Sequence, residues 1–163
     1  MKVKSQQAQA AAQIRKFLKD KGYEAKVTSS SYSGGNSVEV ELYDCSPEIF
    51  AEVERFTNQY QRGSFNGMDD SYYDTNRRSD IPQVLYTFVN AKFTRDMWLR
   101  AYAYTLKNVL NGNDLGLPSP ENADSINTCG IWVEVEGDSG YMSSIVYRVL
   151  RGVLLDFWNT PNT

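Results

Sequence analysis

The residues able to do chemistry are few, and their types restrict what that chemistry is. The 163-residue chain contains no histidine. That removes Ser-His-Asp and Cys-His nucleophilic catalysis, and it removes the commonest transition-metal ligand. Gly137-Asp138-Ser139-Gly140 has the outline of a serine-protease nucleophile motif. Without an imidazole to take the serine proton, it reads as a turn that caps a helix. Asp69, Asp70 and Asp74, with Asn66, offer oxygens of the kind Mg²⁺ and Ca²⁺ prefer. Their spacing matches no calcium loop, so a solvated acidic loop and no metal are expected. Glu39 with Glu41, and Glu134 with Glu136, each share one face of a strand. Such pairs can serve acid–base chemistry, but they read here as solvent faces of a sheet. Cys45 precedes a helix start, where the dipole lowers a thiol pKa, yet with no histidine it is a poor acyl-transfer nucleophile. There is no phosphate loop, glycine-rich dinucleotide turn or cysteine metal cluster. No catalytic residue and no cofactor are expected.

What remains is a set suited to binding. Tyr32, Tyr72, Tyr73, Arg77 and Arg78 are of the types that dominate interface hot spots, and they also stack on unpaired bases. The plainer alternative is a mobile loop with scattered aromatics. Together with Glu39, Glu41, Asn66, Asp69 and Asp70, these residues form the expected partner-binding set.

Charge is distributed unevenly behind a net of −3. Residues 1–26 hold seven basic and two acidic side chains, and residues 27–80 hold four basic and ten acidic. An acidic block beside a basic N-terminal helix makes the molecule dipolar, which bears on steering rather than on fold. The plainer reading is solvated charge. No apolar run approaches the roughly 20 residues needed to span a bilayer. Met1 to Gln7 lacks the apolar core of a secretion signal. A cytoplasmic protein with Cys45 and Cys129 as thiols is therefore expected.

The elements that must position these residues follow from periodicity. Residues 6–21 predict a helix with Ala10, Ile14, Phe17 and Leu18 on one face and Gly22 just past its end. Lys26 to Ser30 and Val38 to Leu42 predict a hairpin joined through Gly34-Gly35-Asn36 by a connection longer than two residues. Val38, Val40 and Leu42 lie on one face, and Glu39 and Glu41 on the other. Ser46-Pro47-Glu48 opens a helix over 47–61. Asn66-Gly67 is a turn, a short strand holds Tyr72-Tyr73, and 74–82 is expected to be mobile. Residues 84–93, apolar on both faces, predict a central strand. Thr94 caps a helix over 95–111, Ile131 to Val135 is a strand, and 141–158 is a last helix, apolar on most sides. That breadth makes a homodimer one expectation. The sum is one α+β domain over 1–163, with four helices largely on one face of a mostly antiparallel sheet of four to five strands.

Gly34-Gly35-Asn36-Ser37-Val38, then Asp44-Cys45-Ser46-Pro47, then Gly63-Ser64-Phe65-Asn66-Gly67-Met68 and Asp69-Asp70-Ser71-Tyr72 follow one another in a recognisable order. Over the first two-thirds of the chain this resembles one of the large-polyvalent-protein-associated domains, small modules of large phage and plasmid proteins. It departs at Asn66, where the pattern has Asp, and at Cys45-Ser46, which lengthens a turn. The resemblance carries over no activity. It implies a non-enzymatic accessory protein of a mobile element or prophage, acting during entry or maintenance of foreign DNA. Blocking CRISPR or restriction is one concrete form, by occlusion of a basic host surface with the acidic block. A second expectation is weak nucleic-acid binding through Lys2, Lys4, Arg15, Lys16 and Lys19 with the tyrosine loop. A carboxylate- or metal-dependent enzyme is the third.

Overall fold

A computed structural model describes residues 4–112 and 115–161; Lys2, one of the expected nucleic-acid contacts, lies outside the described residues. One domain over 1–163 is the sequence expectation. The chain divides into two compact units, Met1–Lys92 and Phe93–Thr163, each with its own core. No Gly- or Pro-rich stretch marks the boundary, because a strand ends at Lys92 and the next helix is capped at Thr94.

The first unit begins with α1 (Gln6–Lys21). Ala10, Ala11, Ile14 and Leu18 are buried. Gly22 ends the helix in the left-handed conformation at φ 72°, and the Tyr23 N–H returns to the Leu18 carbonyl at 2.9 Å. Strands β1 (Ala25–Tyr32) and β2 (Gly35–Tyr43) pair antiparallel. Tyr32 faces Gly35 across a two-residue connection, Ser33-Gly34, with Gly34 at φ 85°. The turn is thus tighter than the sequence expectation, because pairing continues to Tyr32 and Gly35, on either side of Ser33-Gly34. Helix α2 (Pro47–Asn58) starts as predicted, with Ser46 Oγ accepting from the Ile49 N–H.

Two short strands, β3 (Ser64–Asn66) and β4 (Ser71–Tyr73), form a hairpin of their own. β5 (Tyr86–Lys92) then pairs parallel to β2. The order is β1-β2-β5, which corrects the expectation of a buried central strand at 84–93. β2 is central, and β5 is an edge strand on which Thr87, Val89 and Ala91 alternate with the more exposed Phe88, Asn90 and Lys92. The helices cover the face of this sheet that carries Val38, Val40 and Leu42.

The stretch 74–82, expected to be mobile, is tied down. Asn76 Nδ2 donates to the carbonyls of Gln59 and Gln61 at 3.1 and 2.9 Å, and the Asn76 N–H donates to Arg62 O at 2.9 Å. Side-chain amides supply the bonds that a regular element would supply.

In the second unit, α3 (Arg95–Leu106) is capped by Thr94 Oγ1, which accepts from Met97 N–H. It stops five residues earlier than expected. Val109 bridges to Val135, and the Leu110 N–H donates to Glu134 O at 2.8 Å, so the chain joins a strand instead of continuing the helix. β6 (Trp132–Val135) and β7 (Asp138–Tyr141) form a hairpin. Ser139 lies within β7 and does not cap; Tyr141 precedes α4 (Met142–Leu150) without a side-chain cap.

The last helix, expected to reach 158, ends at Leu150. Gly152 takes φ 68°, and the Gly152 and Val153 N–H groups return to Val149 and Arg148. The tail then folds back: Phe157 is buried, and Trp158 Nε1 donates to Leu150 O at 2.9 Å. The breadth of the apolar pattern is accounted for by this reversal. The class is α+β, with four helices and seven strands among the described residues, in small, mostly antiparallel sheets. Among the described residues these strands are shared among three sheets, of three, two and two strands.

Candidate functional site

A groove of about 610 Å³ in the first unit gathers most of the aromatic residues singled out above. Tyr32 comes from the end of β1, Phe65 from β3, Tyr72 and Tyr73 from β4, and Tyr86 from the start of β5. Arg62, Asp70, Asp74 and Leu85 complete its lining beside the Ser33-Gly34 turn.

Two glycines make this assembly possible. A Cβ on Gly35 would sit 2.7 Å from the Tyr32 ring and 2.9 Å from Leu85 Cδ1. A Cβ on Gly63 would sit 1.9 Å from the Tyr73 carbonyl oxygen. The bare backbone at 63 lets the β3–β4 hairpin lie against the chain leaving α2, and Tyr72 of that hairpin reaches Leu85 and Tyr86.

The hairpin tip is built by its polar residues. Asn66 Oδ1 accepts from the Met68 N–H at 3.0 Å, and Asp69 Oδ1 accepts from the Ser71 N–H at 3.3 Å. Asp69 Oδ2 also takes the Tyr73 hydroxyl, and this bond to a carboxylate raises the Tyr73 pKa. Asp70 holds a left-handed φ of 55°. Tyr72 donates to Leu85 O at 2.6 Å, and burial raises its pKa. The Tyr72 ring meets Tyr86 edge-on at 5.6 Å, and Tyr86 stacks near Phe88 at 6.2 Å. An aromatic row therefore runs from the groove onto the open face of the sheet.

Of the expected contact residues, Tyr32, Asp70, Tyr72 and Tyr73 line the groove, while Asn66 and Asp69 shape the turn beside it. Glu39 and Glu41 lie on the open sheet face, and both are engaged there. Asn90 Nδ2 donates to Glu39 at 3.0 Å. Lys92 Nζ donates to Glu41 at 2.5 Å, with Tyr43 Oη at 3.1 Å and Lys26 Nζ at 3.9 Å. The Lys92 bond, reinforced by Tyr43 and Lys26, holds the Glu41 carboxyl below its ordinary value.

Arg77 is largely exposed, with Nε 3.8 Å from Asp74. Arg78 is a clamp: it pairs with Asp80, its Nη1 reaches Gln59, and its N–H donates to Gln83 at 2.7 Å. Asp74 accepts from Arg62 Nε at 2.6 Å. Among the described residues no group of three or more cysteine or carboxylate side chains is placed to hold a metal ion. Both cysteines are thiols, Cys45 buried and Cys129 exposed.

Sequence reasoning missed Arg62, Phe65, Leu85, Tyr86 and Phe88. A signal existed for the last two: in Tyr86-Thr87-Phe88-Val89 the aromatics share one face at period two. Nothing local identifies Arg62, whose place depends on Asp74 twelve residues away. Among the described residues no helix is long and apolar enough to cross a membrane.

The family model described as large polyvalent protein associated domain 29 matches residues 5–97, a span that contains the groove and the whole β1-β2-β5 sheet. No curated protein and no solved structure matches the chain.

Proposed function

The chain belongs to that domain family, and from this premise we propose that it is a non-enzymatic binding protein of a phage or other mobile element, acting in the host cytoplasm by covering the surface of a host protein. The observation that carries this reading is the groove. Tyr32, Phe65 and Tyr73 are 48%, 50% and 48% exposed around the half-buried Tyr72 and Tyr86. Exposed aromatics that converge on one concavity, held by hydrogen bonds and by glycine-allowed packing, are the usual anchors of an interface. A counter-defence role, with a basic nucleic-acid-binding component of CRISPR or restriction as the partner, is the concrete form favoured by the acidic balance of residues 27–80.

Capture from host lysate after nuclease treatment tests this. A stoichiometric protein partner, lost with Tyr32→Ser plus Tyr73→Ser and retained with Glu39→Gln, is expected. Capture of nucleic acid alone, or of a partner indifferent to the groove changes, overturns the reading.

The row Tyr72, Tyr86 and Phe88 favours a second reading, stacking of unpaired bases. Its neighbours weaken it, since Glu39 and Glu41 share that face. The basic helix is also partly engaged: Arg15 donates to Val27 O, Lys16 pairs with Asp20, and Lys21 pairs with Glu52. Single-strand affinity that falls steeply with salt would support the second reading over the first.

A further inference from the structure

Resting on the proposal that this groove binds a protein partner, we infer that its occupant is an extended segment bearing arginine, with the guanidinium laid on a tyrosine face and paired to Asp70. The groove already contains one copy of this arrangement. Arg62 lines it with Cζ 5.8 Å from the centre of the Tyr72 ring, while Nε is bonded to Asp74 at 2.6 Å. A tyrosine face and a carboxylate are thus already holding one planar cation, the pairing that guanidinium chemistry favours.

The elements of a second such seat stand beside it with no cation in place. Tyr32 and Tyr73 are about half exposed in the same groove, and among the described residues no cation lies over either ring. Asp70 is exposed in the lining, and among the described residues it accepts no hydrogen bond and makes no ion pair. Its neighbours differ: Asp69 is committed to Ser71 and Tyr73, and Asp74 to Arg62.

The charge balance selects the sign of the occupant. The lining holds one arginine and two aspartates, and that arginine is already neutralised by one of them. Asp69 at the hairpin tip adds a further negative charge. A phosphate backbone would therefore meet carboxylates, whereas a cationic side chain finds the Asp70 carboxylate. Arginine is preferred over lysine because its plane stacks on a ring while its edge still bonds a carboxylate. The groove volume exceeds what one side chain fills, so it has room for a segment of more than one residue.

The test uses the full chain with labelled tyrosine rings, followed by NMR. The probes are an acetylated, amidated Ser-Arg-Ser-Arg-Ser peptide, its isosteric neutral citrulline counterpart, and a short oligothymidylate. The arginine peptide is expected to shift the ring resonances of Tyr32, Tyr72, Tyr73 and Tyr86. Citrulline substitution or Asp70→Asn is expected to weaken binding by about tenfold, the scale of one charge-assisted contact. Asp70→Asn keeps a residue type that tolerates the left-handed φ and breaks no hydrogen bond, so the fold is retained.

Equal binding of the citrulline peptide, indifference to Asp70→Asn, or displacement of the arginine peptide by oligothymidylate overturns the inference. If the arginine peptide fails while capture of a host protein still depends on Tyr32 and Tyr73, the occupant is wrong and the groove reading stands. If neither the peptide nor a captured protein depends on those tyrosines, both fall.

Discussion

The tyrosine groove and the carboxylate face of the sheet are neighbours in one unit, and the sequence marks both as contact surfaces. They differ in how much of their chemistry is already used. On the sheet face, Glu41 is bonded by Lys92 and Tyr43 and approached by Lys26, and Glu39 is bonded by Asn90. In the groove, the Tyr32 and Tyr73 rings stay half exposed, and Asp70 makes no hydrogen bond or ion pair among the described residues. Counting charges therefore overstates the sheet face, because parallel pairing of β2 with β5 places Asn90 and Lys92 against those glutamates. The proposed binding site is therefore the one whose side chains are held in place but not satisfied.

The sharpest way to break this comparison is Gly63→Ala. The added methyl would meet a backbone oxygen that cannot rotate away. A loss of about 3 kcal/mol or more is expected in denaturant unfolding, together with loss of the groove. An unchanged midpoint would show that the hairpin is not held by that contact. Asn76→Ala should cost about 2 kcal/mol, since it leaves the carbonyls of Gln59 and Gln61 without their donor; faster exchange of the amides around 74–78 is the accompanying signature.

Tyr72→Phe should cost about 1 kcal/mol through the lost bond to Leu85 O while leaving the ring contact with Tyr86. A calorimetric shift with partner affinity retained would separate the positioning hydroxyl from the contact-making ring.

The smallest effect sharpens the comparison from the other side. Lys92 holds the Glu41 pKa down, so this group favours folding above the ordinary glutamate pKa, and that contribution is lost as pH falls through the lowered folded value. Glu41→Gln should flatten the acid side of the stability profile and leave binding at neutral pH unchanged. A large loss of binding would return the contact surface to the sheet face.

Much of the local structure was legible. Gly22, Ser46-Pro47 and Thr94 announce helix boundaries by side-chain chemistry that acts within one turn, and all three do so in the fold. The β2 alternation was legible for the same reason, since its period is set by the pleat. The ends of α3 and α4 were not. Val109 leaves its helix for Val135, and Gly152 reverses the chain so that Phe157 and Trp158 return to the core of their unit. An apolar pattern states that residues are buried; it does not state whether one helix or a helix and a returning tail buries them.

The same division holds for the candidate site. From the sequence alone came the absence of histidine, the tyrosine-rich loop, the Asn66-Gly67 turn, and the resemblance that the family match bears out. These rest on residue identity and on interactions a few positions apart. Only tertiary structure decided that Tyr32, Tyr72, Tyr73 and Tyr86 share one concavity, that Arg62 belongs to it, and that Glu39 and Glu41 are already partnered. Those facts depend on the parallel register of β2 with β5 and on the close approach of Gly63 to Tyr73. Such contacts join positions far apart along the chain, and the free energy that selects them belongs to the packed whole rather than to any one segment.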